Sequence, residues 1–168
     1  MYAGWGYSLV LTAQSGQNIQ KTSSTIPVLG ITVNEERWLI PMRDIKEILL
    51  VPSITPVFLT QPWFLGVVNI RGIIYGVSDL NAYLNKEPVN INVKTRIFLL
   101  ASYLGTGYAL LAENMLGIRD LTEFTLQSDS KDQQPVVAAQ YQDRQNRYWR
   151  MLNLPALMQL DSFLDVSR

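Results

Sequence analysis

The chain has 168 residues, of which 48% are hydrophobic and 17% are charged. This composition favours one folded domain, or two small lobes that share a core, over a disordered chain. The 14 basic and 14 acidic residues cancel, so the sequence lacks the basic excess that binds nucleic acids. Cysteine and histidine are both absent, which excludes disulfides, thiolate chemistry, phosphorylation on histidine and the commonest metal ligand.

The first 26 residues differ from the rest of the chain. Lys21 is their only charged residue, and residues 14–25 are rich in Ser, Thr, Gln and Asn. This composition predicts a flexible arm over residues 1–26, with a short strand at residues 7–12. No apolar run approaches the about 20 residues that a membrane span needs, and no basic residue precedes the apolar patch near the N-terminus. The sequence therefore predicts a soluble, cytoplasmic protein.

From residue 27 onward, short β-prone runs alternate with turn signals. Residues 28–33 and 37–40 flank a predicted hairpin loop at residues 34–36. Between Pro41 and Pro52, apolar residues fall on one face of a helix and charged residues on the other. This segment is therefore predicted to be a short helix.

Strand-like runs continue to the end of the chain. The runs at residues 64–70 and 73–80 are joined tightly at Arg71-Gly72, and further runs occupy residues 96–101, 108–113, 117–126, 136–141 and 147–152. About nine short strands at roughly ten-residue spacing predict an all-β fold, either barrels or a sandwich. Leucines at helical spacing over residues 155–164 predict an amphipathic closing helix.

Few residues are candidates for catalysis. Asp44 and Glu47 lie three apart, but the predicted helix places both on its charged, solvated face. Asp79 and Glu113 end predicted strands, where a carboxylate commonly caps a turn, and Asp161 lies on a helix surface. The sequence has no nucleophile elbow and no glycine-rich phosphate loop. We therefore predict a protein that is not an enzyme and has no catalytic residue, cofactor or metal.

Two other functions stay open on the residues alone. A small β-barrel enzyme or ligand-binding module could use carboxylates, in which case two of them would converge in one pocket. A barrel that binds single-stranded nucleic acid would need aromatic residues interleaved with Lys or Arg on adjacent strands. Residues 147–150 are the nearest approach to that pattern, and they are predicted to be an ordinary alternating strand.

The most unusual segment is residues 63–74, in which Arg71 is the single charged residue of a long apolar run. Residues 69–72 have the composition of a tight turn. Such a turn either points Arg71 into solvent or presents it beside an apolar groove, where Arg and Trp dominate binding hot spots. Trp63 and Trp38 are compatible with the core or with a binding surface.

This segment resembles the signature of the CheW-like domain family. Residues 62–72, followed by residues 78–80, are similar to the family's pattern of a Pro–aromatic pair, G-V-x-N-L-R-G, two strands and D-L. Residues 38–49 resemble the family's strand and V-x-E-V-L helix. Residues 96–101 and 108–118 resemble its second pair of strands. The resemblance covers about residues 27–165.

Within this family, the chain is most similar to the PilI-type coupling proteins of type IV pilus chemosensory systems. The similarity lies in Trp149 and in the closing run at residues 157–164. The sequence departs from the family pattern at residues 75–76, 78 and 113–114. These departures concern partner preference more than fold.

The resemblance implies two SH3-like five-stranded β-barrels packed on each other. The lobes would be at about residues 27–88 and 89–154, with a closing helix at residues 155–165. It implies a chemotaxis-type scaffold whose two faces bind the regulatory domain of a CheA-type histidine kinase and the cytoplasmic tip of a methyl-accepting chemoreceptor. It implies no nucleic-acid partner and no direct membrane insertion, and a cytoplasmic location with recruitment to receptor arrays.

The motif positions also imply which residues bind a partner. Arg71 would lie at the receptor-facing groove between the barrels, with Glu47 near it, and the residues around Arg71 would shape its turn. The implied partner-binding residues are Arg71, Glu47, Asn69, Gly66, Gly72, Ile70 and Trp63.

Overall fold

The structure is a computed structural model, and it describes residues 24–128 and 132–168. Most of the predicted arm, including the strand expected at residues 7–12, therefore lies outside the described residues. They comprise eleven strands and three four-residue α-helices, of which one follows β5 and two follow β11. The strands are β1 (Pro27–Val33), β2 (Glu36–Pro41), β3 (Ile45–Leu50), β4 (Phe64–Ile70), β5 (Ile73–Asp79), β6 (Arg96–Leu100), β7 (Tyr108–Ala112), β8 (Asn114–Asp120), β9 (Thr125–Gln127), β10 (Val137–Gln142) and β11 (Tyr148–Leu152). The helices are α1 (Leu80–Tyr83), α2 (Leu154–Leu157) and α3 (Asp161–Leu164).

The strands form two sheets. The six-stranded sheet has the order β8-β1-β2-β11-β10-β9, and the five-stranded sheet has the order β3-β6-β7-β5-β4. Neighbouring strands are antiparallel except for β2 with β11 and β5 with β7, which are parallel. The strands do not divide between the sheets at residue 88, because β6 and β7 pair with β3 and β5 instead of joining β8–β11. Local sequence could not indicate this division, since parallel pairs join strands that are distant in the chain.

The core explains why so many strands are continuously apolar. On β6, Ile97 and Leu99 enter an apolar cluster inside the five-stranded sheet, whereas Phe98 and Leu100 enter a cluster between the two sheets. Successive side chains on a strand point to opposite faces, so a strand buried on both faces needs apolar residues at every position. A third cluster, which includes Trp149, consists mainly of side chains from the six-stranded sheet.

Both tryptophans that were open on sequence lie in the core. Trp38 is 2% exposed and Trp63 is 8% exposed, and both belong to the cluster between the sheets. Phe163 of α3 lies in the same cluster, so the C-terminal segment packs against the core between the two sheets. The predicted all-β fold with short helices is confirmed. None of the described helices is long and apolar enough to cross a membrane.

The helix predicted between residues 41 and 52 is wrong. The segment forms a 3-10 turn at Met42–Asp44 and then β3. The pairing of β3 with β6 shifts register between Ile45 and Glu47, as at a β-bulge. This shift interrupts the two-residue alternation of a strand and leaves apolar residues at a spacing that imitates a helix.

The predicted solvated position of Asp44 is also wrong. Asp44 is 1% exposed, and its carboxylate accepts a hydrogen bond from the Tyr103 hydroxyl. Burial raises the pKa of Asp44, and the nearby Arg43 guanidinium acts in the opposite direction. The carboxylate is therefore part of the junction between β2 and β3.

Two further segments differ from their predicted limits. The single strand expected at residues 117–126 is divided into β8 and β9 by a 3-10 turn, where the Asp120 side chain accepts a hydrogen bond from Thr122 N–H at 3.0 Å. The single closing helix is divided into α2 and α3. Asn153 caps α2 by accepting a hydrogen bond from Ala156 N–H at 3.1 Å. The Asp120 cap thus interrupts a strand that the apolar spacing alone would continue, whereas Asn153 caps the start of α2.

Candidate functional site

The β4–β5 hairpin closes on the two-residue turn Arg71-Gly72. Ile70 and Ile73 pair directly across it. Arg71 has φ 51° and Gly72 has φ 86°, and a type I′ hairpin turn requires such left-handed values at both central positions. The Asn69 Oδ1 atom accepts a hydrogen bond from Gly72 N–H at 2.8 Å. The tight turn predicted from the sequence is therefore present.

Arg71 forms a bidentate ion pair with Glu47 on β3. One hydrogen bond joins Arg71 Nη1 to Glu47 Oε1 at 3.2 Å, and a second joins Nη2 to Oε2. The bond from Arg71 lowers the pKa of Glu47 below its ordinary value, and the same bond raises the pKa of Arg71. The two side chains are 66% and 31% exposed. A surface pair of this geometry fixes the direction of the guanidinium more than it stabilises the fold.

The ion pair also shows how the five-stranded sheet is shaped. β3 and β4 are the outer strands in the sheet order, yet Glu47 on β3 reaches the turn at the end of β4. Lys46 Nζ, also on β3, donates to the Tyr75 hydroxyl on β5 at 3.3 Å. One apolar cluster includes side chains from all five strands. The sheet is therefore curled on itself like a barrel, and the ion pair lies where its outer strands approach each other.

Exposed apolar residues adjoin the ion pair in the sequence. Ile73 and Ile74 follow the turn directly and are 43% and 55% exposed. Leu50, at the end of β3, is 68% exposed. Sequence reasoning missed these three residues, because an apolar strand pattern does not show which side chains remain outside the core at a strand end. Ile73 and Ile74 pair with Ile70 and Asn69 next to the turn, so they place apolar area beside the charge of Arg71, a combination found at binding hot spots.

Ile70 and Gly66 support this turn from inside the barrel. Ile70 is partly buried and packs against the apolar interior of the five-stranded sheet. Gly66 lies within β4, outside the turn that it was expected to shape. It has φ 132°, and a Cβ atom there would approach the Thr55 carbonyl oxygen to 2.1 Å. Glycine is needed here because Thr55 lies alongside β4, where it forms an antiparallel bridge with Val67.

Trp63 lies away from the exposed surface. Its ring stacks on Phe163 with centroids 5.2 Å apart and meets Tyr83 edge-on at 5.4 Å. The structure thus brings Arg71, Glu47, Asn69 and Gly72 together at the surface, whereas Trp63 anchors the closing helix in the core.

The other acidic candidates have structural partners. Asp79 caps α1 by accepting from Ala82 N–H at 3.2 Å and also accepts from Val89 N–H at 2.8 Å. Glu113 accepts from Asn34 N–H at 3.1 Å. In the part of the chain that the structure describes, no group of three or more acidic side chains is placed to hold a metal ion.

A sequence profile of the CheW-like domain matches residues 27–162. The match spans both sheets and includes the Arg71–Glu47 pair. This chain belongs to the CheW-like domain family. The resemblance of the hairpin segment to the CheW-like signature is therefore confirmed.

Comparison with individual CheW-like proteins agrees with this assignment. Protein PilI of Pseudomonas aeruginosa is 24% identical over 144 residues, which cover 83% of this chain and 79% of PilI. Chemotaxis protein CheW of Bacillus subtilis is 33% identical over 69 residues, covering 41% of this chain and 44% of that protein.

A solved structure shares the fold. The crystal structure of the scaffolding protein TtCheW from Thermoanaerobacter tengcongensis matches with a TM-score of 0.69 at 16% identity, covering 83% of this chain and 91% of that chain. The predicted CheW-like architecture of two SH3-like barrels is confirmed by this likeness.

Proposed function

We propose that this CheW-like chain is a coupling scaffold that links a methyl-accepting chemoreceptor to a CheA-type histidine kinase. The observation that carries the proposal is family membership over residues 27–162. Its relatives include a chemotaxis protein and a scaffolding protein, and PilI matches over most of the chain. We infer that the system controls type IV pili, and that the chain works in the cytoplasm beside receptor arrays.

A coupling protein needs no reaction of its own. It raises the effective concentration of kinase beside receptor, and it favours one kinase state if it binds that state more tightly. A standard contact buries about 800 Å² on each partner. Receptor and kinase patches together would therefore occupy about 1,600 Å² of an accessible surface of 11315 Å². The surface is therefore large enough for receptor and kinase to be bound at the same time.

The proposed receptor contact is the Arg71–Glu47 surface. The type I′ turn holds the Arg71 backbone in one conformation, so its side chain is presented at the tip of the hairpin. Glu47 occupies two donor positions of the Arg71 guanidinium, so further N–H donors remain for a receptor group. In this arrangement Glu47 positions Arg71, while the exposed side chains of Ile73 and Ile74 supply apolar contact.

The alternative of a carboxylate-based enzyme or ligand-binding module has no observation in its favour. Asp44, Asp79 and Glu113 each have a structural hydrogen-bond partner. Glu47 is paired with Arg71.

Binding measurements with purified partners test the proposal. Receptor-tip fragment and kinase regulatory domain would each be titrated against wild type, Arg71→Gln and Glu47→Gln. We expect Arg71→Gln to weaken receptor binding at least about tenfold, as hot-spot truncations do, with kinase affinity unchanged. Arg144→Gln is the matched control, because Arg144 is also an exposed arginine near a turn.

A charge-swapped variant separates contact from positioning. Arg71→Glu combined with Glu47→Arg keeps an ion pair at the same place but reverses its polarity. We expect receptor binding to stay weak in this variant if Arg71 touches the receptor. Unchanged receptor affinity in Arg71→Gln would remove the site from the receptor interface, and failure of wild type to bind either partner would overturn the coupling role.

A further inference from the structure

The loop between β3 and β4 exposes an apolar tip. Val57, Phe58 and Leu59 are 44%, 89% and 81% exposed, and we call these three residues the knob. No charged residue occurs between Glu47 and Arg71 in the sequence, so the knob has no neighbouring charge in its own loop. Isolated exposed apolar residues are ordinary, but a contiguous exposed patch commonly marks a binding surface.

The knob is held in a defined conformation. Leu59 has φ 60°, which is unfavourable for a residue with a large side chain. The Thr60 hydroxyl donates to the Val57 carbonyl at 2.9 Å, and Arg168 N–H donates to the Leu59 carbonyl at 2.9 Å. A strained conformation that several bonds maintain is a reason to look for function at that place.

The same chain has a groove of complementary character. It has a volume of about 520 Å³ and lies between α1 and the segment before β10. Its lining includes Leu84, Val136 and Leu160 together with the neutral polar residues Asn85 and Gln134, and none of the described residues that line it is charged. Pockets of about 300–1,000 Å³ hold small molecules, so this groove has room for two large apolar side chains.

Knob and groove lie beside the same C-terminal segment. Ser162 lines the groove, while Ser167 and Arg168 pair with the loop that carries the knob. Ser162 and Ser167 are five positions apart in the sequence, and an extended chain of that length spans at most about 18 Å. Two copies related by a two-fold axis near this segment can therefore each insert a knob into the groove of the other. Because the chain has zero net charge, two copies do not repel each other through their net charges.

We propose that a second copy of this chain occupies the groove, in a reciprocal two-fold dimer. In this dimer Phe58 and Leu59 of each copy seat in the groove of its partner copy. Two knobs and two grooves bury on the order of 1,000 Å², which is at the lower end for a specific interface. The dimer is therefore expected to be weak and concentration-dependent. Its existence does not depend on the coupling role.

Sedimentation velocity of the full chain over a range of concentrations tests the dimer. Wild type should shift from monomer to dimer as concentration rises. Phe58→Asp, which places a charge on the knob, should raise the dissociation constant at least about tenfold. Val93→Asp is its control, because Val93 is 86% exposed but lies elsewhere.

The groove is tested by a matched pair of isosteric changes. Gln134→Glu places a charge in the groove, and its side chain makes no hydrogen bond in the described structure that this change would remove. It should weaken the dimer as Phe58→Asp does, although by a smaller factor. The neighbouring Gln133→Glu has the same charge change on an exposed residue outside the groove lining, and it should leave the dissociation constant unchanged.

Mixing two defective variants gives the decisive observation. In a mixture of Phe58→Asp and Gln134→Lys, the heterodimer has one unaltered knob–groove contact and one in which the introduced carboxylate meets the introduced ammonium group. An equimolar mixture should therefore form it at concentrations where neither variant dimerises alone. Wild type that stays monomeric would overturn the proposal, as would a dimer that Phe58→Asp does not weaken. If wild type stays monomeric and the knob instead binds receptor fragment, kinase domain or anionic vesicles, the knob has a different partner and the dimer proposal is wrong.

Discussion

Each sheet contains an arginine–carboxylate pair, and the two pairs have opposite surroundings. At the turn between β10 and β11 of the six-stranded sheet, Asp143 is 5% exposed and accepts hydrogen bonds from Arg147 Nε at 2.7 Å and from the Trp149 indole at 2.9 Å. In the five-stranded sheet, Glu47 is 31% exposed and has Arg71 as its hydrogen-bond partner. In the first pair the carboxylate is buried although Arg147 is 38% exposed, whereas the second pair lies at the surface, where it contributes little to folding.

The acidities of the two carboxyl groups reflect the same difference. Burial by itself raises the pKa of Asp143, but the hydrogen bonds from Trp149 and from the side chain and backbone of Arg147 outweigh burial and hold that pKa well below its usual range. The pKa of Glu47 is lowered chiefly by its bond from Arg71. A network of donors therefore fixes Asp143 in its charged form, while one partner does so for Glu47.

The largest effect is expected from Asp143→Asn. This variant keeps the shape of the side chain but removes the charged acceptor of the buried Trp149 N–H, and we expect it to lower the free energy of unfolding by about 3 kcal/mol. Urea unfolding followed by tryptophan fluorescence measures the change. Asp161→Asn, at an exposed position on α3, should change stability little. A loss below about 1 kcal/mol would show that Asp143 is not a core element.

The loss of stability at acid pH provides a second test of the difference between the two pairs. The folded-state pKa of Asp143 lies below the unfolded value of about 3.9, so its contribution is present above that pH and is lost as pH falls. As the pH is lowered from neutral to about 3, the thermal unfolding temperature should therefore fall more steeply for wild type than for Asp143→Asn. Parallel curves for the two proteins would contradict the assigned sign.

A smaller effect, of opposite sign, is expected at the β1–β2 turn. Asn34 has φ 47° and Glu35 has φ 70°, so this turn has the same left-handed geometry as Arg71-Gly72 but lacks glycine at its second position. Glu35→Gly should raise the free energy of unfolding by up to about 1 kcal/mol, because glycine adopts this conformation without strain. Glu87→Gly, at an exposed position without positive φ, should not stabilise the protein.

The smallest effect on folding is expected from Glu47→Gln. Its pair with Arg71 is exposed and screened by salt, so the shift in the urea midpoint should be at least about fivefold smaller than for Asp143→Asn. The same variant should still reorient Arg71 and weaken receptor binding. A folding defect as large as that of Asp143→Asn would make the two pairs equivalent and end the distinction between them.

The sequence predicted those features that local chemistry determines. The Arg71-Gly72 turn followed from Asn69 and Gly72, whose side chain and flexibility form the turn within four residues. β3 was mistaken for a helix because its bulge opposite β6 removes the alternation that identifies a strand. The Arg71–Glu47 pair was indicated by resemblance alone. It joins residues 24 apart whose approach depends on the curling of a whole sheet, which no local pattern reports.

The pairing of β1 and β2 has a consequence for synthesis of the protein. This hairpin is among the first described elements to be made, but the strands beside it, β8 and β11, end at Asp120 and Leu152. At about 5–20 residues per second, the ribosome reaches Leu152 on the order of 10 s after Pro41. During that interval the apolar faces of the hairpin, which carry Trp38 and Leu39, have no sheet to enter. The nascent chain therefore depends on late strands to cover its earliest ones, and a truncated product would expose them as an aggregation-prone edge.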